Sequence, residues 1–257
     1  MSRHHVRKTR KCLNCGYNFN GNFCPECGQK AEVEKLTARL LLDQTIHAIT
    51  HYEKGFLHTI WHFIVKPGTA SINFLKGKRK EYQQPVGYIL ILTAIYILIH
   101  NFIIGYYDYH YSPNAGPNLI DFKEEANIFL RTHFTPFTFI ILIASAYIIY
   151  LVMAGKVFNF IEILTLCLYG GGTYFLMLTV SDIILGMIFK VNTISVNVFI
   201  WQTALSLLYN FWFTYDIFKR IHVNFFWPRM IFTSILISAT GWVIMNYVPG
   251  IWLSLFG

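Results

Sequence analysis

Long apolar runs dominate the last two-thirds of the chain and carry no strict alternation of polar and apolar positions. Five are long enough to matter: Val86–Ile104, Pro136–Ala154, Ile161–Phe189, Val196–Tyr215 and Met230–Val248. A helix needs about 20 residues to cross the hydrocarbon core of a bilayer. The pattern therefore predicts an all-α polytopic membrane protein with about five transmembrane helices, the third run being long enough to tilt, break or dip into the interface. Residues 36–66 read differently. Leu41, Ala48, Tyr52, Phe56 and Ile60, with Leu40, Ile49, Leu57, Trp61 and Ile64 beside them, recur at helical spacing. Asp43, His47, His51, Lys54, His58 and His62 form the opposite stripe. This is an amphipathic helix, bent at Gly55, suited to the membrane interface or to the flank of a helical bundle. Lys66-Pro67-Gly68 then stops the helix, and a short helix from Thr69 leads to the basic cluster Lys76-Gly77-Lys78-Arg79-Lys80.

Composition agrees with a membrane protein: 54% of the residues are hydrophobic and 13% are charged. Charge also orients the chain. Residues 1–85 hold 14 of the 21 Lys and Arg, and Lys156, Lys219, Arg220 and Arg229 bring the predicted inner side to 18. The other side holds Lys123, Arg131 and Lys190, and its first loop adds Asp108, Asp121, Glu124 and Glu125. By the positive-inside rule the N-terminus is cytoplasmic and, after five spans, the C-terminus lies outside. The net charge of +8 is thus a topology signal, and no nucleic-acid partner is expected. The first 35 residues are basic and polar, without a signal-peptide core, so the first span serves as its own insertion signal. The expected location is a bacterial inner membrane.

Four cysteines change the picture of the N-terminus. Cys12-Leu13-Asn14-Cys15-Gly16 and Cys24-Pro25-Glu26-Cys27-Gly28 are two metal knuckles separated by an eight-residue spacer. Each delivers two thiolates from one tight turn, and four sulfurs so paired suit one structural Zn2+ per chain in a closed tetrahedral site. Iron in a rubredoxin-like site is the minor alternative, since the spacer is short for that fold. A disulfide pairing conflicts with a cytosolic location. The organisation that follows is a basic arm and zinc ribbon over 1–30, amphipathic juxtamembrane helices with the basic cluster over 31–85, and the transmembrane domain over 86–257.

Other candidate positions carry weaker signals. Lys76, Lys78, Arg79 and Lys80 stand where anionic lipid headgroups would meet them, each cation near the surface being worth about 1 kcal/mol. Their ordinary role is that of topology anchor. At about 100° per residue His47, His51, His58 and His62 fall within about 60° of one another on a helix. The pairs at i, i+4 are able to chelate a metal, and the group is able to sense pH; the ordinary reading is a solvated or headgroup-facing stripe. No Glu completes a His-Glu-x-x-His protease motif. Within the runs Asp182 is the charge to explain, near Gly170-Gly171-Gly172, which is able to break or thin the helix. The ordinary reading ends the span near Ser181-Asp182. Glu162 and Asp216 fall at span ends within reach of water. His100, Asn101, Gln202 and Asn210 suit interhelical hydrogen bonds, and Cys167 packs as a small hydrophobe. After the turn at residues 112–117, Asp121 is a candidate cap for a short external helix with Phe122, Ala126 and Phe129 on one side.

The order of these features resembles an uncharacterised bacterial family of small integral membrane proteins defined as a domain of unknown function. The resemblance rests on the two knuckles with Gln29-Lys30, on His51-Tyr52-Glu53-Lys54-Gly55-Phe56-Leu57-His58-Thr59, on Lys66-Pro67-Gly68, and on Phe74 to Tyr82. It covers about residues 12–95; Glu53 and Lys66 replace the more usual Asp and Arg. What it implies is architecture: a zinc ribbon, an amphipathic juxtamembrane region and several spans, with no reaction and no catalytic residues.

No catalytic set, paired-carboxylate motif or phosphate-binding glycine loop assembles by spacing. The expected function is a non-enzymatic scaffold or adaptor, its ribbon docking a cytosolic protein and its collar gripping anionic lipid; a homo-oligomer is compatible with it. The alternatives are a lipid or small-solute transporter or pore around Asp182, and a membrane-embedded lipid-modifying enzyme.

Overall fold

The computed structural model describes residues 9–41, 55–111, 134–154, 157–191, 196–219 and 225–256. His47, His51 and the candidate helix after Asp121 lie outside these residues. The head contains a two-stranded antiparallel ribbon, β1 (Arg10–Lys11) paired with β2 (Asn18–Phe19), Arg10 opposite Phe19. Two short helices follow, α1 (Phe56–Val65) and α2 (Pro67–Leu75). Then come α3 (Pro85–Tyr111), α4 (Phe134–Ile149), α5 (Phe160–Asp182), α6 (Val196–Phe218) and α7 (Phe226–Phe256). These five long helices fall on the five apolar runs. Among the described residues two, over Pro85–Tyr106 and Phe160–Ile188, are long and apolar enough to cross a membrane.

α5 is the centre of the bundle, and its glycines show why. The helix is unbroken through Gly170-Gly171-Gly172, and each glycine admits a neighbouring side chain. A Cβ would stand 3.1 Å from Phe213 of α6 at Gly170, 2.8 Å from Leu142 of α4 at Gly171, and 2.7 Å from Tyr88 of α3 at Gly172. The triplet is therefore a packing seam, where small residues let helices approach closely. α5 starts at a capping box: Asn159 Oδ1 accepts from the Glu162 amide (2.8 Å) and Glu162 Oε2 accepts from the Asn159 amide (2.9 Å). At its other end it does not stop at Asp182. The helix continues as a π-helical segment, Ile183–Ile188, just as α4 continues through Tyr150–Ala154.

The two short helices are built into this bundle. Phe63 of α1 stacks on Tyr169 of α5 with ring centroids 4.3 Å apart, and Phe74 of α2 meets the same ring edge-on at 5.3 Å. Phe63, Phe74, Tyr82, Tyr88 and Tyr169 are all fully buried. The Tyr169 hydroxyl donates to the Gln83 carbonyl at 2.6 Å, closing the cluster around the chain that enters α3. α1 also keeps Leu57 and Trp61 exposed, so one apolar side packs inward and another faces out. Between α1 and α2, Pro67 takes the first helical position, where its missing N–H costs nothing.

Asp216 departs from the expected span-end position. α6 runs on to Phe218, which leaves Asp216 buried within the helix. Its Oδ2 accepts the Gly68 amide of α2 at 2.6 Å, and its Oδ1 pairs with Lys219 at 2.5 Å. The approach is so close that a Cβ on Gly68 would lie 2.0 Å from the Asp216 carbonyl oxygen. Since that obstacle is backbone, Gly68→Ala should cost about 3 kcal/mol or more through overpacking. Thermal unfolding followed by size-exclusion in detergent should show a clear loss. Gly105→Ala, where nothing among the described residues lies within 4 Å, should be neutral or slightly stabilising.

Candidate metal centre and the turn it grips

The two knuckles fold alike. In the first, Gly16 N donates to Cys12 O (3.0 Å) and Cys12 N to Tyr17 O (2.8 Å). In the second, Gly28 N donates to Cys24 O (2.8 Å) and Cys24 N to Gln29 O (2.8 Å). Gly16 and Gly28 both adopt left-handed backbone, φ +78° and +71°, which an L side chain rarely takes. The four sulfurs gather within 4.8 Å of one another, with Cys12 to Cys27 and Cys15 to Cys24 both 3.6 Å. Zinc–sulfur bonds of about 2.3 Å at tetrahedral angles require sulfurs about 3.8 Å apart. The four cysteines can thus hold a metal ion, and the donor set and spacing are consistent with zinc.

Electrostatics favours a cation here. Burial alone would raise the Cys12 thiol, but backbone hydrogen bonds from Cys15 and Asn14 bring it down to about 7. A backbone bond from Tyr17 favours the Cys15 thiolate, yet burial and the three neighbouring sulfurs push that thiol up to about 12. One thiolate forms readily and its presence opposes the next. A divalent ion removes that opposition, because a coordinated thiol is deprotonated outright.

The centre is tied to the helical body by one side chain. Gln29, immediately after the second knuckle, is buried, and its Nε2 donates to Gly77 O at 2.5 Å. Its Oε1 accepts from the amides of Arg79 and Lys80, both at 3.3 Å. From the first knuckle, Leu13 lies against Gly77, where a Cβ would stand 2.9 Å from its Cδ1. Gly77 has φ +101°. Arg79 donates to the Glu34 carbonyl at 2.7 Å and lies over the Phe74 ring. The basic cluster is therefore divided: Arg79 faces the head, Lys78 borders the first knuckle beside Lys11, and Lys76 and Lys80 are exposed.

Two further sites gather residues that the sequence left scattered. Asp182 is fully buried, with Oδ2 2.6 Å from His100 Nδ1 of α3 and Oδ1 accepting from Gln202 Nε2 of α6 at 3.0 Å. The Trp201 indole donates to the neighbouring Ser181 at 3.1 Å, and Tyr96 stacks on His100. Three helices thus meet at one carboxylate. On α1, His58 and His62 lie side by side above Tyr82. The sequence marks Asp216 only as a span-end charge and Gln29 only as a residue beside the second knuckle, because the partners of both lie far along the chain.

Residues 53–97 match a family model described as a protein of unknown function (DUF3667). That segment holds α1, α2, the gripped turn and the start of α3, and lies downstream of the cysteines. It supports a domain of unknown function. No curated protein and no solved structure matches the chain.

Removing three hydrogen bonds of about 0.5–1.5 kcal/mol each should loosen the grip without emptying the centre. Gln29→Ala is expected to keep its metal, while trypsin cleaves at Lys78–Lys80 at least tenfold faster than in the wild type; chelation of the metal should do the same. For the bundle, Asp182→Ala strands two donors and should cost about 2–5 kcal/mol, whereas Asp182→Asn keeps an acceptor and should cost less. Thermal unfolding of the two variants in detergent distinguishes these costs.

Proposed function

We propose that this chain is a non-enzymatic membrane scaffold that presents a zinc ribbon rigidly to a cytosolic protein. The observation that carries the reading is the grip of the ribbon on the Gly77–Lys80 turn, because a flexible tail would need no such attachment. While that side is engaged, Tyr17 and Phe23 remain 49% and 62% exposed on a head of about thirty residues. Large apolar side chains left in water on a small rigid module suit a protein partner.

In this reading all five long helices span a bacterial inner membrane, with the N-terminus in the cytosol and the C-terminus outside. One Zn2+ sits in the cysteine centre as a structural ion. The exposed Lys76 and Lys80 meet anionic headgroups, and Leu57 and Trp61 enter the interface beside them. Asp182 serves as a pin between helices, both of its oxygens being engaged.

Tyr17→Ala/Phe23→Ala tests this directly, since Tyr17 bonds the knuckle through its backbone, which the substitution keeps. Purified from native membranes in mild detergent, this variant should keep one zinc per chain and recover at least tenfold less of a partner enriched by the wild type. Cys24→Ser/Cys27→Ser should lose both the zinc and the partner. Equal recovery of every co-purifying protein from all three forms would sink the scaffold reading. A tightly bound solute or lipid in place of any partner would favour transport or lipid chemistry.

A further inference from the structure

We propose that His58 and His62 form a second metal site, an exchangeable one for a divalent transition ion such as Zn2+ or Ni2+, at the membrane-proximal face of α1. The two residues are one helical turn apart, and their ring centroids stand 4.0 Å apart at 44°. Two imidazole nitrogens bound to one tetrahedral ion at about 2.0–2.1 Å are about 3.3 Å from each other, so small ring rotations bring both to a common ion.

The surroundings set both rings for this role. His58 Nδ1 lies 3.1 Å from the Glu81 carbonyl, which can only accept. The Nδ1 of His58 therefore carries the proton, and in the neutral ring the lone pair sits on Nε2. His62 Nδ1 is 3.2 Å from the Tyr82 hydroxyl, whose oxygen has two lone pairs and also receives the Asn73 amide at 3.5 Å. A backbone carbonyl behind Nδ1, as His58 has, is a usual outer shell of a metal-bound histidine. Neither Nε2 has a partner among the described residues.

The surrounding frame agrees with this placement, and it is rigid. Gln83 N donates to Thr59 Oγ1 (2.8 Å), which itself donates to Gly55 O (2.7 Å), while Phe63 is locked in the core. A Cβ on Gly55 would stand 2.6 Å from Glu81 O, so the helix and the 81–82 turn are held in fixed register. Borderline ions accept imidazole readily, and two protein ligands leave positions open for water or an incoming ligand. The cysteine centre is closed; this one is built for exchange.

The test uses the full chain purified without a polyhistidine tag, its cysteine centre loaded with zinc, and Ni2+ as the probe. Titration calorimetry and thermal unfolding should show one Ni2+ bound per wild-type chain, with a rise in unfolding temperature. His58→Gln, a change at an exposed position, should weaken that binding at least tenfold and abolish the rise, leaving the cysteine-bound zinc unchanged. His58→Gln/His62→Gln should remove the site. Wild-type protein that takes up no Ni2+, or a His58→Gln variant that binds it with unaltered affinity and stoichiometry, overturns the proposal.

Discussion

A buried carboxylate on α6 determines where α1, α2 and the cysteine head of this molecule can sit. Asp216 receives the first available amide of α2, at Gly68, because Pro67 before it has no N–H to offer. A negative charge at a helix N-terminus is favourable, since the first amides lack intrahelical partners and the helix dipole points its positive end there. Lys219, just past the end of α6, balances the charge. The contact tolerates no side chain at position 68, so α2 has one place to dock. Its position then fixes the turn at Gly77, and through that turn the cysteine head; α1, joined to α2 by Lys66 alone, is fixed with it.

The head completes this arrangement through charge as well as hydrogen bonds. Four thiolates around a divalent ion leave a net charge of −2. Lys11 and Lys78 border the first knuckle from two different segments, so each offsets part of that charge. The basic cluster before the first long helix thus has two tasks. Arg79 and Lys78 answer to the head, while Lys76 and Lys80 remain available to the surroundings. In sequence these are four equivalent cations; only their partners separate them.

What was legible in the sequence was local. Knuckle spacing identified the cysteine centre, apolar run length located five helices, and Lys66-Pro67-Gly68 marked the break between α1 and α2. The capping box at Asn159 and Glu162 is likewise a local four-residue pattern, and it places Glu162 at the start of its helix, as a span-end charge should be. What was not legible depends on distant partners. Gln29 meets a turn some fifty residues away, Asp182 meets His100 eighty-two residues away, and Asp216 meets Gly68 at a separation of 148. Gly170-Gly171-Gly172 shows the limit well. The same triplet suits a broken helix or a close packing seam, and only the neighbours decide: Phe213, Leu142 and Tyr88 fill the space that side chains would occupy.

The polar groups inside the bundle point the same way. Helices that lie in hydrocarbon gain little from apolar packing over lipid, and close small-residue contacts and interhelical hydrogen bonds are what would set their arrangement. Tyr88 and Thr173 join α3 to α5 at 2.9 Å, Trp201 and Ser181 join α6 to α5, and Asp182 joins all three. A solute passing Asp182 would have to break the bonds to His100 and Gln202 together and leave a buried charge without its partners, at a cost of several kcal/mol. A carboxylate that must bind and release cargo is better served by looser contacts. This one is engaged on both oxygens from two helices, which is the arrangement of a fastening.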